Sequence, residues 1–103
     1  MSLLAPDVYI VSISNETRNH CFKLLNELRL SGIQADMDYE CRTPKAQMKV
    51  ANKINSRFTI IMGPDEIEKG VIKLKDMQTG VETFSEDADK IVRVVKEKKM
   101  KYK

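Results

Sequence analysis

Cys41–Lys75, CRTPKAQMKVANKINSRFTIIMGPDEIEKGVIKLK, decides how the rest of the chain is read. Thr43-Pro44 is a helix start, a hydroxyl that can cap followed by a proline at the first turn, where a missing N–H costs nothing. Ala46, Val50, Ala51 and Ile54 give the helix a narrow apolar face. Between Arg42 and Arg57 stand Lys45, Lys49 and Lys53 and no Asp or Glu, and Lys45, Lys49, Lys53 and Arg57 recur every four residues, one slowly drifting stripe on a helix. Phe58-Thr59-Ile60-Ile61-Met62-Gly63 then reads as a strand buried on both faces. Asp65-Glu66 makes an acidic turn, Gly70 opens the next segment, and Val71-Ile72-Lys73-Leu74-Lys75 alternates with its lysines on one face.

Working outward, Val8–Ile13 is a second apolar, β-branched run and a second doubly buried strand. Ser14 or Asn15 caps a helix to about Ser31, with a core stripe of Cys21, Leu24, Leu25 and Leu28 and a stop at Gly32. Ile33–Glu40 alternates strictly, the mark of an edge strand with one wet face. The order β-α-β-α-β argues for parallel strands with right-handed crossovers. Downstream, Met77–Gly80 is too short for anything but a hairpin, so Val81–Phe84 pairs antiparallel. Ser85-Glu86-Asp87 caps a last helix packed down by Ile91, Val92, Val94 and Val95. The fold class is α/β: a three-layer domain whose mixed five-stranded sheet, mostly parallel with one antiparallel strand, is flanked by helices.

At 103 residues the chain is one domain. Residues 1–6 read as an added start or linker, 7–97 as the domain and 98–103 as a Lys-rich tail. No apolar run approaches the ~20 residues of a membrane helix, and no secretory leader is visible. Cys21 and Cys41 lack metal spacing and read as reduced thiols, which places the chain in the cytoplasm. The net charge of +3 is uneven: residues 90–103 hold seven Lys/Arg and one Glu, leaving residues 1–89 at −3, eleven basic against fourteen acidic. The tail is either a solvated helix end or an attractor for an RNA backbone.

Catalytic chemistry has little to stand on. There is neither a G-x-G-x-x-G nor a P-loop. His20, the only histidine, has no partner at catalytic spacing and reads as a surface or half-buried helix residue. Asp36, Asp38 and Glu40 share one strand face and could hold a cation, but read more simply as an exposed edge. We expect no catalytic and no metal residue. Asp65-Glu66 is of more interest, because open α/β sheets bind ligands outside the carboxyl ends of their strands. If the basic stripe, this acidic turn and Lys75 come together, the surface offers cations to phosphates and a carboxylate to a base edge, as recognition of single-stranded RNA requires. An ordinary solvated helix face would show the same stripe. Tyr9, Tyr39, Phe58 and Phe84, the aromatics that could stack on bases, fall mostly in strands.

These residues resemble a known family, the C-terminal anticodon-binding domains of class II aminoacyl-tRNA synthetases, the histidyl branch above all. The resemblance rests on Asp36-Met37-Asp38-Tyr39, Thr43–Lys49 with Ala51-Asn52-Lys53, Phe58–Gly63 with Glu66 and Gly70, Leu74–Gly80, and Leu28–Ile33 as L-R-x-x-G-I. It covers residues 7 to about 95, and the run Lys75-Asp76-Met77 followed by Thr79-Gly80 points to the histidyl rather than the threonyl, prolyl or glycyl branch.

The resemblance implies the sheet order 2-1-3-4-5 and a role in holding the anticodon loop of tRNA(His), so that ATP- and Mg-dependent histidylation proceeds on a catalytic domain absent from this chain. The fragment itself would use no cofactor, and its parent would be a cytoplasmic homodimer. Position by position, Glu66 matches a carboxylate that reads an anticodon base, Lys75 a basic contact on the next strand, and Gln47 and Lys49 contacts on the second helix. Arg42 and Lys45 would touch the backbone. Pro64 and Val81-Glu82 depart from the family pattern. The alternative is a histidyl-synthetase-like paralogue with a regulatory or dimerisation role and no anticodon readout.

Overall fold

The computed structural model describes residues 6–40 and 42–101; Cys41, read above as a reduced thiol, and most of residues 1–6 lie outside them. The two apolar runs become the adjacent central strands β1 (Val8–Ser12) and β3 (Phe58–Met62), parallel and in register from Val8 opposite Phe58 to Ser12 opposite Met62. β2 (Ala35–Met37) pairs parallel on the far side of β1. β4 (Ile72–Asp76) runs antiparallel to β3, and β5 (Glu82–Ser85) antiparallel to β4. The order is β2-β1-β3-β4-β5, with β4 the one reversed strand.

Helices cover the sheet unequally. α1 (Arg18–Leu30) and α4 (Ala88–Lys101) close one face, where Val8, Ile10, Phe58, Ile60 and Leu74 meet Leu24, Leu28, Ile91 and Val95. Fully burying such a side chain contributes about 1.5–3 kcal/mol, so this layer supplies most of the apolar stabilisation. On the other face α2 (Pro44–Lys53) alone sets Ala51, Met48, Val50 and Ile54 on Tyr9, Val11 and Ile61. Its seam follows β1 and the near side of β3.

Local chemistry moves several boundaries. β2 stops at Met37, short of the expected Ile33–Glu40, because Asp38 turns inward and accepts hydrogen bonds from the Arg42 N–H and guanidinium. α2 ends at Lys53: Asn55 takes a left-handed φ of 60° and the Ser56 N–H closes onto the Ala51 carbonyl, so Arg57 leaves the stripe. The acidic turn is a six-residue helix, α3 (Pro64–Lys69), closed by Gly70 at φ 67°. Pro64, a departure from the family pattern, fits its first position. β5 sits one residue later than expected. α4 continues to Lys101, and its Lys98 and Lys99 reach Asp76 and Asp7 at 3.1 and 3.0 Å, so these two residues of the expected tail are tied to the domain.

Candidate nucleic-acid interface

α2 carries the basic stripe. Its start is set by Thr43 Oγ1, which accepts from the Ala46 N–H at 3.2 Å, and by Pro44 at the first position. Lys45, Lys49 and Lys53 are exposed, and none has an ion-pair partner among the described residues. Like charges four residues apart cost an isolated helix about 0.2–0.5 kcal/mol per pair, and no carboxylate on α2 offsets that.

Arg42 and Gln47 are occupied differently. Arg42 binds Asp38 at 3.0 Å and Glu40 at 3.1 Å, leaving its guanidinium half exposed but largely neutralised. Gln47 is buried, 2% exposed, and its amide is fully committed. Oε1 accepts from the Ser12 N–H at 2.9 Å, while Nε2 donates to the Ser12 carbonyl at 2.9 Å and the Arg42 carbonyl at 2.7 Å. At the end of β1, Gln47 therefore pairs with the backbone as a neighbouring strand would, clamping the start of α2 to the sheet. The expected RNA contact at Gln47 thus meets an interior side chain.

β4 presents Lys73 and Lys75 on the side of the sheet that bears α2. Lys73 lies opposite Ile61 and Phe84, and Lys75 opposite Thr59 and Glu82. Lys73 pairs with Glu82 at 3.4 Å, and its Nζ stands 6.0 Å from the Phe84 ring centroid. Lys75 has no ion-pair partner among the described residues.

Glu66 is placed elsewhere. Its Oε1 accepts from the Gly63 N–H at 2.8 Å, capping α3. A Cβ on Gly63 would lie 2.8 Å from that oxygen and 3.2 Å from Ile13 Cγ1, so a larger residue there would push the Glu66 carboxylate off its cap. The carboxylate lines a hollow of about 290 Å³ beside His20, Lys23, Glu27 and Met62, toward α1. Lys75 sits at the level of Thr59, three residues or about 10 Å of strand before Met62, so Glu66 and Lys75 do not form one cluster. Lys73 is the β4 lysine nearer the end of β3.

Asp36, Asp38 and Glu40 are divided between cationic partners: Asp36 stands 3.6 Å from Arg29, and the other two bind Arg42. Among the described residues no three His, Cys, Asp or Glu are grouped to hold a metal ion. Burial, with Asp38 and Asp36 nearby, pushes the Tyr9 hydroxyl up to about 12, and burial also raises the Cys21 thiol, so neither ionises at neutral pH.

One aromatic residue, Phe22, escaped the sequence reading. Phe22 and Tyr39 pair at 5.9 Å on the α1–β2 edge, with the Arg18 guanidinium 5.6 Å from the Phe22 ring. Phe22 falls off the Cys21-Leu24-Leu25-Leu28 stripe, a signal that was available. Phe84, named above among the aromatics that could stack on bases, is 53% exposed on β5, next to the buried Ser85.

Comparisons with known proteins agree with this architecture. The anticodon binding domain family matches residues 7–98. The histidine–tRNA ligase of Staphylococcus saprophyticus is 43% identical over 90 residues, covering 87% of this chain and 21% of that protein. The ligase of Clostridioides difficile is 46% identical over 77 residues, covering 75% of this chain and 18% of that protein. The crystal structure of apo S. aureus histidyl-tRNA synthetase superposes with a TM-score of 0.79 at 38% identity, over 89% of this chain and 23% of that one. The chain thus spans about a fifth of the length of these relatives. The RNA binding domain of threonyl-tRNA synthetase from Cryptosporidium parvum, TM-score 0.81 at 16% identity, shares the fold. With a match running almost end to end, the chain belongs to the anticodon binding domain family.

Proposed function

We propose that this domain binds the anticodon loop of tRNA(His) as part of a histidine–tRNA ligase, holding the tRNA while a catalytic domain joins histidine to its acceptor end. The observation that carries the reading is a helix whose lysines have no ion-pair partner among the described residues, beside a sheet face carrying Lys75. Lys45, Lys49 and Lys75 contact loop phosphates, and Arg42, already bound to Asp38 and Glu40, adds a weaker contact. Gln47 fixes the α2 start from inside. Glu66 reads a base edge with the oxygen not used on Gly63, from the other side of the end of β3. ATP and Mg act on the catalytic domain of the parent ligase, which works as a cytoplasmic homodimer.

The test is a fluorescence titration with an RNA stem-loop carrying GUG and with a scrambled loop, each at two salt concentrations. Preference for GUG that persists in added salt is the expected result. Equal binding that vanishes with salt would reduce the surface to a basic patch and favour a regulatory paralogue. Glu66→Gln is the variant of choice, since the amide oxygen still accepts from Gly63 while the charge is removed. Unchanged discrimination in that variant would remove Glu66 from base readout.

A further inference from the structure

Of the exposed aromatic groups among the described residues, only one stands among cations with few local carboxylates. At the Phe22–Tyr39 edge, Arg18 donates to the Asp38 carbonyl, Arg29 faces Asp36, and Arg42 binds Asp38 and Glu40. That patch is close to neutral and offers little to a polyanion. Phe84 differs. It projects from the edge strand β5 on the side of α2, opposite Lys73 and one diagonal from Lys75. β5 lies two strands beyond β3, roughly 10 Å from the margin of the α2 seam, and on this face no helix of the described residues packs on it. Single exposed apolar side chains are ordinary. Here, however, the neighbours on the same face are Lys73, Lys75 and Glu82, so the ring sits in a charged frame rather than an apolar patch suited to a protein partner.

We infer that Phe84 is a stacking platform for one unpaired base of the bound RNA loop, with Lys75 and Lys73 on the adjacent phosphates. The inference rests on the RNA-binding reading above and adds to it the aromatic group that reading lacked. An aromatic face accepts any base, so Phe84 supplies affinity and Glu66 retains the discrimination. Lys73 is held over the ring by Glu82, and its Nζ at 6.0 Å stands at the outer limit of a cation–π contact, free to swing toward a phosphate as a base covers the ring.

The chain contains no tryptophan, so Phe84→Trp introduces a single indole reporter. Titrated with the GUG stem-loop, its fluorescence is expected to be quenched in step with binding. Phe84→Leu is expected to bind about tenfold more weakly with an unchanged salt slope, because no phosphate contact is lost. One abasic substitution in the loop should weaken the wild type by a similar factor and Phe84→Leu little further. Thermal unfolding of both variants checks that they fold. If Phe84→Leu matches the wild type and the indole is not quenched, the platform is wrong while RNA binding stands. If the wild type binds no RNA at low salt, the functional reading and this one fall together. Self-association without RNA that Phe84→Leu abolishes would make the shelf a protein interface.

Discussion

Two groups of basic residues, one gathered at Asp76 on the α1–α4 face and one spread over the α2 face, are used in opposite ways. On the α1–α4 face, buried Asp76 gathers Arg57 at 3.4 Å, Lys98 at 3.1 Å and the N–H groups of Gln78 and Thr79. On the α2 face, Lys45, Lys49 and Lys75 have no carboxylate partner among the described residues. One set of charges holds β3, β4 and α4 together; the other makes no such tie among the described residues. Counting basic residues does not separate the two roles, whereas asking what each charge touches does.

The largest effect should come from breaking the closed face. Asp76→Asn leaves Arg57 and Lys98 beside a neutral amide and is expected to lower unfolding stability by about 3 kcal/mol in denaturant titration, with RNA affinity unchanged where the variant is folded. Next is Gln47→Leu, which strips partners from the Ser12 N–H and the Ser12 and Arg42 carbonyls. A loss of about 2 kcal/mol is expected, together with weaker RNA binding as α2 loses its anchor.

Acid should act on the closed face through Asp76. Burial by itself raises the Asp76 carboxyl, but the Gln78 N–H, Lys98, Arg57 and the Thr79 N–H outweigh it and bring it from 3.8 to about 2. A carboxyl held below its unfolded value stabilises the fold above that value. The contribution is therefore complete above about pH 4 and lost as pH falls toward 2. Because Lys98 is partly wet, roughly 1–2 kcal/mol is expected from this group in a pH series of unfolding curves, absent in Asp76→Asn. The smallest stability effect belongs to the open face. Lys45→Ala with Lys49→Ala relieves repulsion and should leave stability within about 0.5 kcal/mol. The salt slope of RNA binding should fall by about 1 per phosphate contact removed. A stability loss equal to that of Asp76→Asn would erase the contrast between the faces.

Much of this was legible in the chain. The doubly apolar runs Val8–Ile13 and Phe58–Gly63 can only be central strands, and the Met77–Gly80 turn can only reverse direction, so layers and direction followed. The helical part of the basic stripe, Lys45 to Lys53, was visible from spacing. Less legible was Gln47, since nothing in Lys45-Ala46-Gln47-Met48 shows which polar residue turns inward to bond the end of β1 thirty-five residues away. Glu66 was correctly noticed after a strand, but its capping of Gly63 depends on Pro64–Lys69 forming a helix rather than a turn. Arg57 kept the four-residue period and still left the stripe, because Asn55 reverses the backbone before it.

Periodicity acts through neighbours along the chain, so the sequence by itself determined the strands, the three long helices and the three layers, while its motifs carried the resemblance to the family. Which charges remain free is set by pairs distant in sequence: Asp76 with Lys98, Asp7 with Lys99, Gln47 with Ser12. Only the tertiary structure decided that, because an ion pair or a buried amide is satisfied by atoms brought within about 3 Å by packing, and one-dimensional spacing does not encode that distance.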